Sequence, residues 1–139
     1  LAAAELKPAV VIADSPFSSL ERIIRERADS MYGDLALPFT HLAFKLAEIR
    51  GKFSIDLVNT EATASNLQVP VVLIHSTDDR YTPALHSRDI YFRMSNVQST
   101  LQFTGWGAKH ARSLHSNRKD YTNIIAEALE KLNFSLPVR

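Results

Sequence analysis

Residues 69–83, which read VPVVLIHSTDDRYTP, constrain the fold of this chain more than any other stretch. Pro70 has no N–H to give to a ladder, so it suits the first position of a strand. Val71, Val72, Leu73 and Ile74 follow, and three of these four are β-branched. A short unbroken apolar run marks a strand covered on both faces, as in a parallel sheet. The run then gives way to small and acidic residues. Thr82 and Pro83 predict a helix start, with Thr as N-cap and Pro at the first helical position. An acidic pair, Asp78 and Asp79, is thereby placed beyond the carboxyl end of a buried strand. In open α/β sheets that is where ligands bind.

The same pattern occurs elsewhere. Residues 9–13 (AVVIA) form a second apolar run and end in Asp14, Ser15 and Pro16. Ser18 and Glu21 have capping-box spacing and predict a helix to about residue 30, with Leu20, Ile23, Ile24 and Arg27 at helical spacing. Glu21 and Arg25 form an i,i+4 pair, and the arginines of this helix are expected on a solvated face. Residues 31–38 read as a loop with Gly33 and Pro38. Phe39, Leu42, Ala43, Leu46 and Ile49 predict a helix over 39–49, ended by Gly51. Residues 53–58 alternate like a short strand, and 59–67 read as a short helix capped by Asn59 or Thr60. A helix over 83–94, an edge strand over 97–103, a loop over 104–116 and an amphipathic helix over 117–132 complete the chain. Residues 31–67 read as a cap-like insertion between two parallel strands.

Strands alternating with helices imply right-handed crossovers, hence an α/β fold with a mostly parallel sheet and flanking helices. The length of 139 residues suits one domain. A net charge of +1 gives no bias toward nucleic acid or an anionic membrane. The absence of cysteine excludes disulfides, a thiol nucleophile and Cys-ligated metals. No apolar run approaches the roughly 20 residues of a membrane span. Three strands make a thin sheet, and the opening Leu1-Ala2-Ala3-Ala4-Glu5-Leu6 lacks Met and reads as the tail of a helix. The expectation is a portion of a longer polypeptide, with a cytoplasmic location as the default.

Asp79 and His110 each lie just past the end of successive predicted strands, so their side chains can meet above the sheet. A carboxylate beside an imidazole fixes its tautomer and stabilises the imidazolium, which is the orienting half of a nucleophilic triad. The plain alternative is a turn-capping aspartate and a solvent-exposed loop histidine. Asp78 competes with Asp79 for the role, and one of the two is expected to pair with Arg80 or with backbone N–H groups. His75 is expected to be packed and hydrogen-bonded, His41 partly buried, and His86 and His115 exposed. No histidine pair has metal-binding spacing, and no glycine-rich phosphate loop occurs, so neither a metal nor a cofactor is expected. No G-x-S-x-G is present. Ser15, Ser18, Ser76 and Ser113 are available, and none is expected on a strained strand-to-helix turn with flanking glycines.

Residues 9–20 (AVVIADSPFSSL), 69–83 and 107–125 (GAKHARSLHSNRKDYTNII) together resemble the C-terminal half of an α/β-hydrolase, of the serine aminopeptidase and acyl-peptidase-like branch. In that family the acid-bearing turn commonly reads H-G-x-x-D-x-x-x-P. Aligning His75 and Pro83 with it implies that Asp79 is the acid of a Ser-His-Asp triad and His110 the base, with Tyr121 in the following helix also matching. Ser76 stands where the family usually has glycine. The resemblance implies that the nucleophile and oxyanion-hole loop lie upstream of residue 1, in an N-terminal half absent from these 139 residues. It implies a serine hydrolase of ester or amide bonds whose substrate is a small ester or a peptide-like molecule. It further implies that this chain is inactive without its N-terminal half. Phe39, Leu42, Phe44 and Leu46 would suit the wall of an apolar pocket, or equally a packed core. The second reading is a non-catalytic α/β module that binds a ligand or a protein partner.

Overall fold

The structure is a computed structural model and describes residues 5–6, 8–33, 36–96 and 98–134. Leu1–Ala4, where a helix tail is expected, and Val97, at the start of the expected edge strand, lie outside the described residues. Three parallel strands form one sheet in the order β1 (Val11–Asp14), β2 (Val71–Ser76), β3 (Thr100–Thr104). Val11 pairs with Val71 and Asp14 with Ile74. On the other side Val72 pairs with Thr100 and Ser76 with Thr104. This register brings all three carboxyl ends to one edge of the sheet.

Every residue of β2 is buried. Its alternation builds two cores, because successive side chains point to opposite faces. Val71 and Leu73 pack with Ala64, Leu67 and Ile90 on one face. Val72 and Ile74 pack with Tyr121 and Ala128 on the other. The first face is covered by helices α3 (Thr60–Ala64) and α4 (Leu85–Arg93), the second by α6 (Arg118–Lys131). The remaining helices are α1 (Leu20–Tyr32), α2 (Ala36–Gly51) and the short α5 (Ser113–Ser116).

Several local expectations shift. The N-cap of α1 is Ser19, whose hydroxyl accepts from the Arg22 N–H at 3.1 Å. Ser18 is instead turned inward and fully buried. α2 begins at Ala36, so Pro38 falls in its first turn, where a missing N–H leaves no intrahelical bond unmade. Residues 53–58 are not a strand. Glu48 Oε1 accepts from the Ile55 N–H at 3.0 Å, and the chain makes a 3-10 turn over Ile55–Leu57. The N–H that a ladder needs is thus already taken. Asn59 caps α3 by accepting from the Ala62 N–H at 2.8 Å. α4 starts at Leu85, two residues after Pro83, because Thr82 belongs to the preceding turn.

The arginines of α1 do not form a merely solvated face. Arg22 donates to Asp89 of α4 at 2.7 Å, and Arg25 lies 5.2 Å from the centre of the Phe44 ring of α2. Arg25 also donates to Glu21 at 2.7 Å, the expected i,i+4 pair. The apolar face read from the period of α2 points outward. Phe39, Leu42, Leu46 and Ile49 are exposed, and of the four proposed pocket-wall residues only Phe44 is buried. This helix is apolar around more than one face, so periodicity alone does not select the buried one.

Candidate functional site

Three aspartates at the strand ends brace a single loop, residues 105–113. Asp14, closing β1, accepts from the Ser113 hydroxyl at 2.9 Å. Asp78, just past β2, accepts from the Gly107 N–H at 3.2 Å. Gly107 has a φ of 74°, a left-handed conformation that glycine adopts without steric cost. Asp79 takes the imidazole itself: His110 Nδ1 lies 2.9 Å from Asp79 Oδ2. A carboxylate can only accept, so Nδ1 carries the proton and Nε2 presents its lone pair. Among the described residues, Nε2 makes no hydrogen bond. His110 and Ala111 sit at the centre of a turn closed by Arg112 N–H to Lys109 C=O at 3.0 Å, and Ala111 holds a φ of 50°.

Asp79 is held from its other side by the turn in front of α4. Its Oδ1 accepts from the Tyr81 N–H at 2.8 Å and the Thr82 N–H at 2.9 Å. Its side chain is fully buried. Burial alone would push its acidity down, but the Thr82 N–H, His110 and the Tyr81 N–H overcome that, and its pKa lies below the usual aspartate value. The carboxylate therefore stays ionised where it meets His110.

His75 is packed and hydrogen-bonded, as its place at a strand end predicts. Its Nε2 lies 2.8 Å from the Thr82 carbonyl, which can only accept, so Nε2 donates. Nδ1 then accepts from the Ser87 hydroxyl at 2.6 Å. Burial pushes its pKa below the ordinary imidazole value, and the ring is neutral. His75 thus anchors the carbonyl of the residue whose N–H holds Asp79. Ser76, in the place of the family's glycine, is buried and accepts from the Asp78 N–H at 3.2 Å.

His86 departs from expectation. It is fully buried rather than exposed. The Ser18 N–H donates to His86 Nδ1 at 3.2 Å, and the Ser18 hydroxyl lies 2.8 Å from the same nitrogen. Nε2 then donates to Glu26 at 2.8 Å. These three residues have the connectivity of a serine–histidine–carboxylate relay, but Ser18 has no exposed surface, so the cluster joins α1 to α4 and cannot meet a substrate. His41 and His115 are exposed, the first against expectation. Ser15 occupies the strand-to-helix turn after β1 with a φ of 54°. Its neighbours are Asp14 and Pro16 rather than glycines, and its hydroxyl donates to Asp14 at 3.0 Å.

No protein-family model matches the chain. It is 27% identical over 124 residues to the uncharacterised protein YqkD of Bacillus subtilis (strain 168), covering 89% of this chain and 40% of that protein. Among solved structures it is similar to an esterase of Pyrococcus furiosus, with a TM-score of 0.62, 20% identity, and coverage of 88% of this chain and 45% of that one. It is also similar to an α/β-hydrolase from a lagoon-sediment metagenome of Mar Chica, Morocco, with a TM-score of 0.61, 16% identity, and coverage of 96% and 56%. The chain has an α/β-hydrolase fold. A third similar structure, an acylaminoacyl peptidase of Pyrococcus horikoshii, has a TM-score of 0.58 at 17% identity, and there the chain covers 94% of itself but 21% of its counterpart. The chain spans less than two thirds of the length of each of these proteins. The relation to this fold agrees with the resemblance carried by residues 9–20, 69–83 and 107–125, and with the C-terminal half it names. No helix among the described residues is long and apolar enough to cross a membrane.

Proposed function

We propose that this chain supplies the acid and base of a serine hydrolase acting on ester or amide bonds. The observation that carries the reading is the His110–Asp79 hydrogen bond at 2.9 Å, made by a half-exposed imidazole to a buried carboxylate. A buried carboxylate on Nδ1 leaves Nε2 free to take a proton from an attacking hydroxyl and stabilises the imidazolium that forms. His110 is the base, Asp79 orients it, and the imidazolium later gives its proton to the leaving alkoxide or amine.

The nucleophile is proposed to come from a segment outside these 139 residues, in the N-terminal half of the same fold. No G-x-S-x-G occurs in the chain, and Ser15 and Ser18 are both engaged with other residues. The insertion over 31–67 is proposed to take the place of a small cap. Treating the isolated chain with a fluorophosphonate that labels activated serines is the first test. The reading expects no labelled serine and no acylation burst with a p-nitrophenyl ester. A burst from the chain alone would refute the division of labour between two halves.

The second reading, a non-catalytic module, is favoured by one observation: Phe39, Leu42, Leu46 and Ile49 form an outward apolar face on α2. Under that reading, replacing His110 leaves any ester or amide turnover by the full protein unchanged.

A further inference from the structure

His110 stands on a ridge between two cavities of opposite character. The ridge is a row of three side chains. The Arg27 guanidinium lies 4.8 Å from the centre of the Tyr81 ring, and the Tyr81 and His110 rings are 5.0 Å apart. All three line both cavities. On the α1 side lies a cavity of about 390 Å³ walled by Phe17, Leu20, Ile24, Ala28 and Met31. On the other side lies one of about 590 Å³ bounded by Arg80, Lys109, Asp78 and Gly107. Both fall within the roughly 300–1,000 Å³ typical of ligand sites.

The charge of the second cavity is unbalanced. Arg27, Arg80 and Lys109 make no ion pair with any carboxylate among the described residues. This contrasts with Arg22 and Arg25 of the same helix as Arg27, each of which is paired with a carboxylate at 2.7 Å. Among the described residues Asp78 is the one acid lining the cavity, and it is engaged with the Gly107 N–H. Three cations therefore face the cavity against a single carboxylate.

We infer that the substrate is an anionic amphiphile, an ester or amide with an apolar group on one side of the scissile bond and a carboxylate or phosphate group on the other. The apolar group fills the cavity against α1. The anionic group sits between Arg80 and Lys109, with Arg27 at the divide. The reacting carbonyl then lies across the ridge, over His110. This rests on the proposed hydrolase reading for the reaction, but not for binding. Arg80 and Lys109 are specificity-determining residues, since neither touches the His110–Asp79 pair through any hydrogen bond.

The test is binding, which requires no nucleophile. Octanoate, octyl phosphate and octanol share one chain length and differ in head group. Each is titrated into the 139-residue chain while the amide signals of Tyr81 and His110 are followed by NMR. Each exposed cation is worth at most a few-fold in affinity, so the two anions are expected to bind roughly tenfold tighter than octanol at low salt. The tighter of the two anions names the head group. The preference shrinks as salt is raised. In Arg80→Glu/Lys109→Glu it disappears while octanol binding persists, and that binding also reports that the variant is folded. Equal affinity for all three ligands, binding by none of them, or a preference that survives the charge reversal overturns the inference. None of these outcomes bears on turnover, so the hydrolase reading stands or falls separately with His110→Ala.

Discussion

Replacing Asp79 with Asn is the sharpest perturbation of the candidate site, because it keeps shape and removes charge. In the native chain one carboxylate accepts from the Thr82 N–H at 2.9 Å, the Tyr81 N–H at 2.8 Å and His110 Nδ1–H at 2.9 Å. The new amide must choose an orientation. With its oxygen toward Tyr81 and Thr82 it keeps two bonds and turns an NH2 group toward His110. The flipped orientation keeps one bond and leaves two N–H groups facing a donor. Thr82 is 1% exposed, so its orphaned N–H would cost about 1–3 kcal/mol, more than the one neutral bond of about 0.5–1.5 kcal/mol regained. The first orientation wins. His110 Nδ1 then faces a donor and must accept, so the proton moves to Nε2 and the nitrogen proposed as the base loses its lone pair. Bonds to a charged acceptor are worth about 1.5–3 kcal/mol and to a neutral one about 0.5–1.5, so three weakened bonds, one of them half solvated, cost roughly 2–3 kcal/mol of stability. Urea unfolding measures the loss, and long-range 1H–15N NMR of the imidazole reads the tautomer. A His110 that still carries its proton on Nδ1, or a stability change under about 0.5 kcal/mol, refutes the reasoning.

Other outcomes follow from the same geometry. Ile74→Ala, at a fully buried position of β2, is expected to cost about 2–5 kcal/mol in chemical denaturation, most of it from the cavity left behind. Asp78→Ala removes one bond to an exposed backbone N–H, so its cost should stay under about 1 kcal/mol and His110 should keep its Nδ1–H tautomer, in contrast to Asp79→Asn. Stability should fall as pH drops from 7 toward 5. His75 is neutral when folded because burial lowers its pKa, whereas the unfolded chain takes up a proton near the ordinary value of 6.5. A second loss comes lower, as pH falls through the depressed pKa of Asp79, whose contribution is complete only above the ordinary aspartate value of 3.8. Urea midpoints across pH 3–8 check both limbs, and a flat profile between 7 and 5 contradicts the His75 account.

β2 was legible because burial on two faces leaves an unbroken apolar run, whereas β1 and β3, each with an exposed apolar side chain in Ile12 and Phe103, were legible from apolar and β-branched content alone. The pairing of Asp79 with His110 was legible for a related reason. Parallel strands carry their ends to one edge, so residues just past successive strands become neighbours. Contacts that depend on packing were not. Ser18 and His86 meet across 68 positions, and a count of apolar residues along the chain misses it. The signal lies in α4 itself, where His86, Ser87 and Ile90 share a buried face that a hydrophobicity count reads as polar. Residues 53–58 alternate like a strand, yet one carboxylate, Glu48, takes the Ile55 N–H and bends the segment into a turn. The role of Arg27 was hidden in the same way, since only the fold places its guanidinium over Tyr81.

The central claim is that the imidazole of His110 removes the proton of an attacking serine. It is tested most directly by the turnover of a short-chain p-nitrophenyl ester in a polypeptide that joins this chain to the proposed nucleophile-bearing segment, with and without His110→Ala. A general base contributes about 10²–10⁴-fold, so kcat should fall by that factor while the variant still unfolds cooperatively in urea, its midpoint lowered only by the loss of the one bond to Asp79, about 1.5–3 kcal/mol at most. Unchanged turnover in a folded His110→Ala protein contradicts the account.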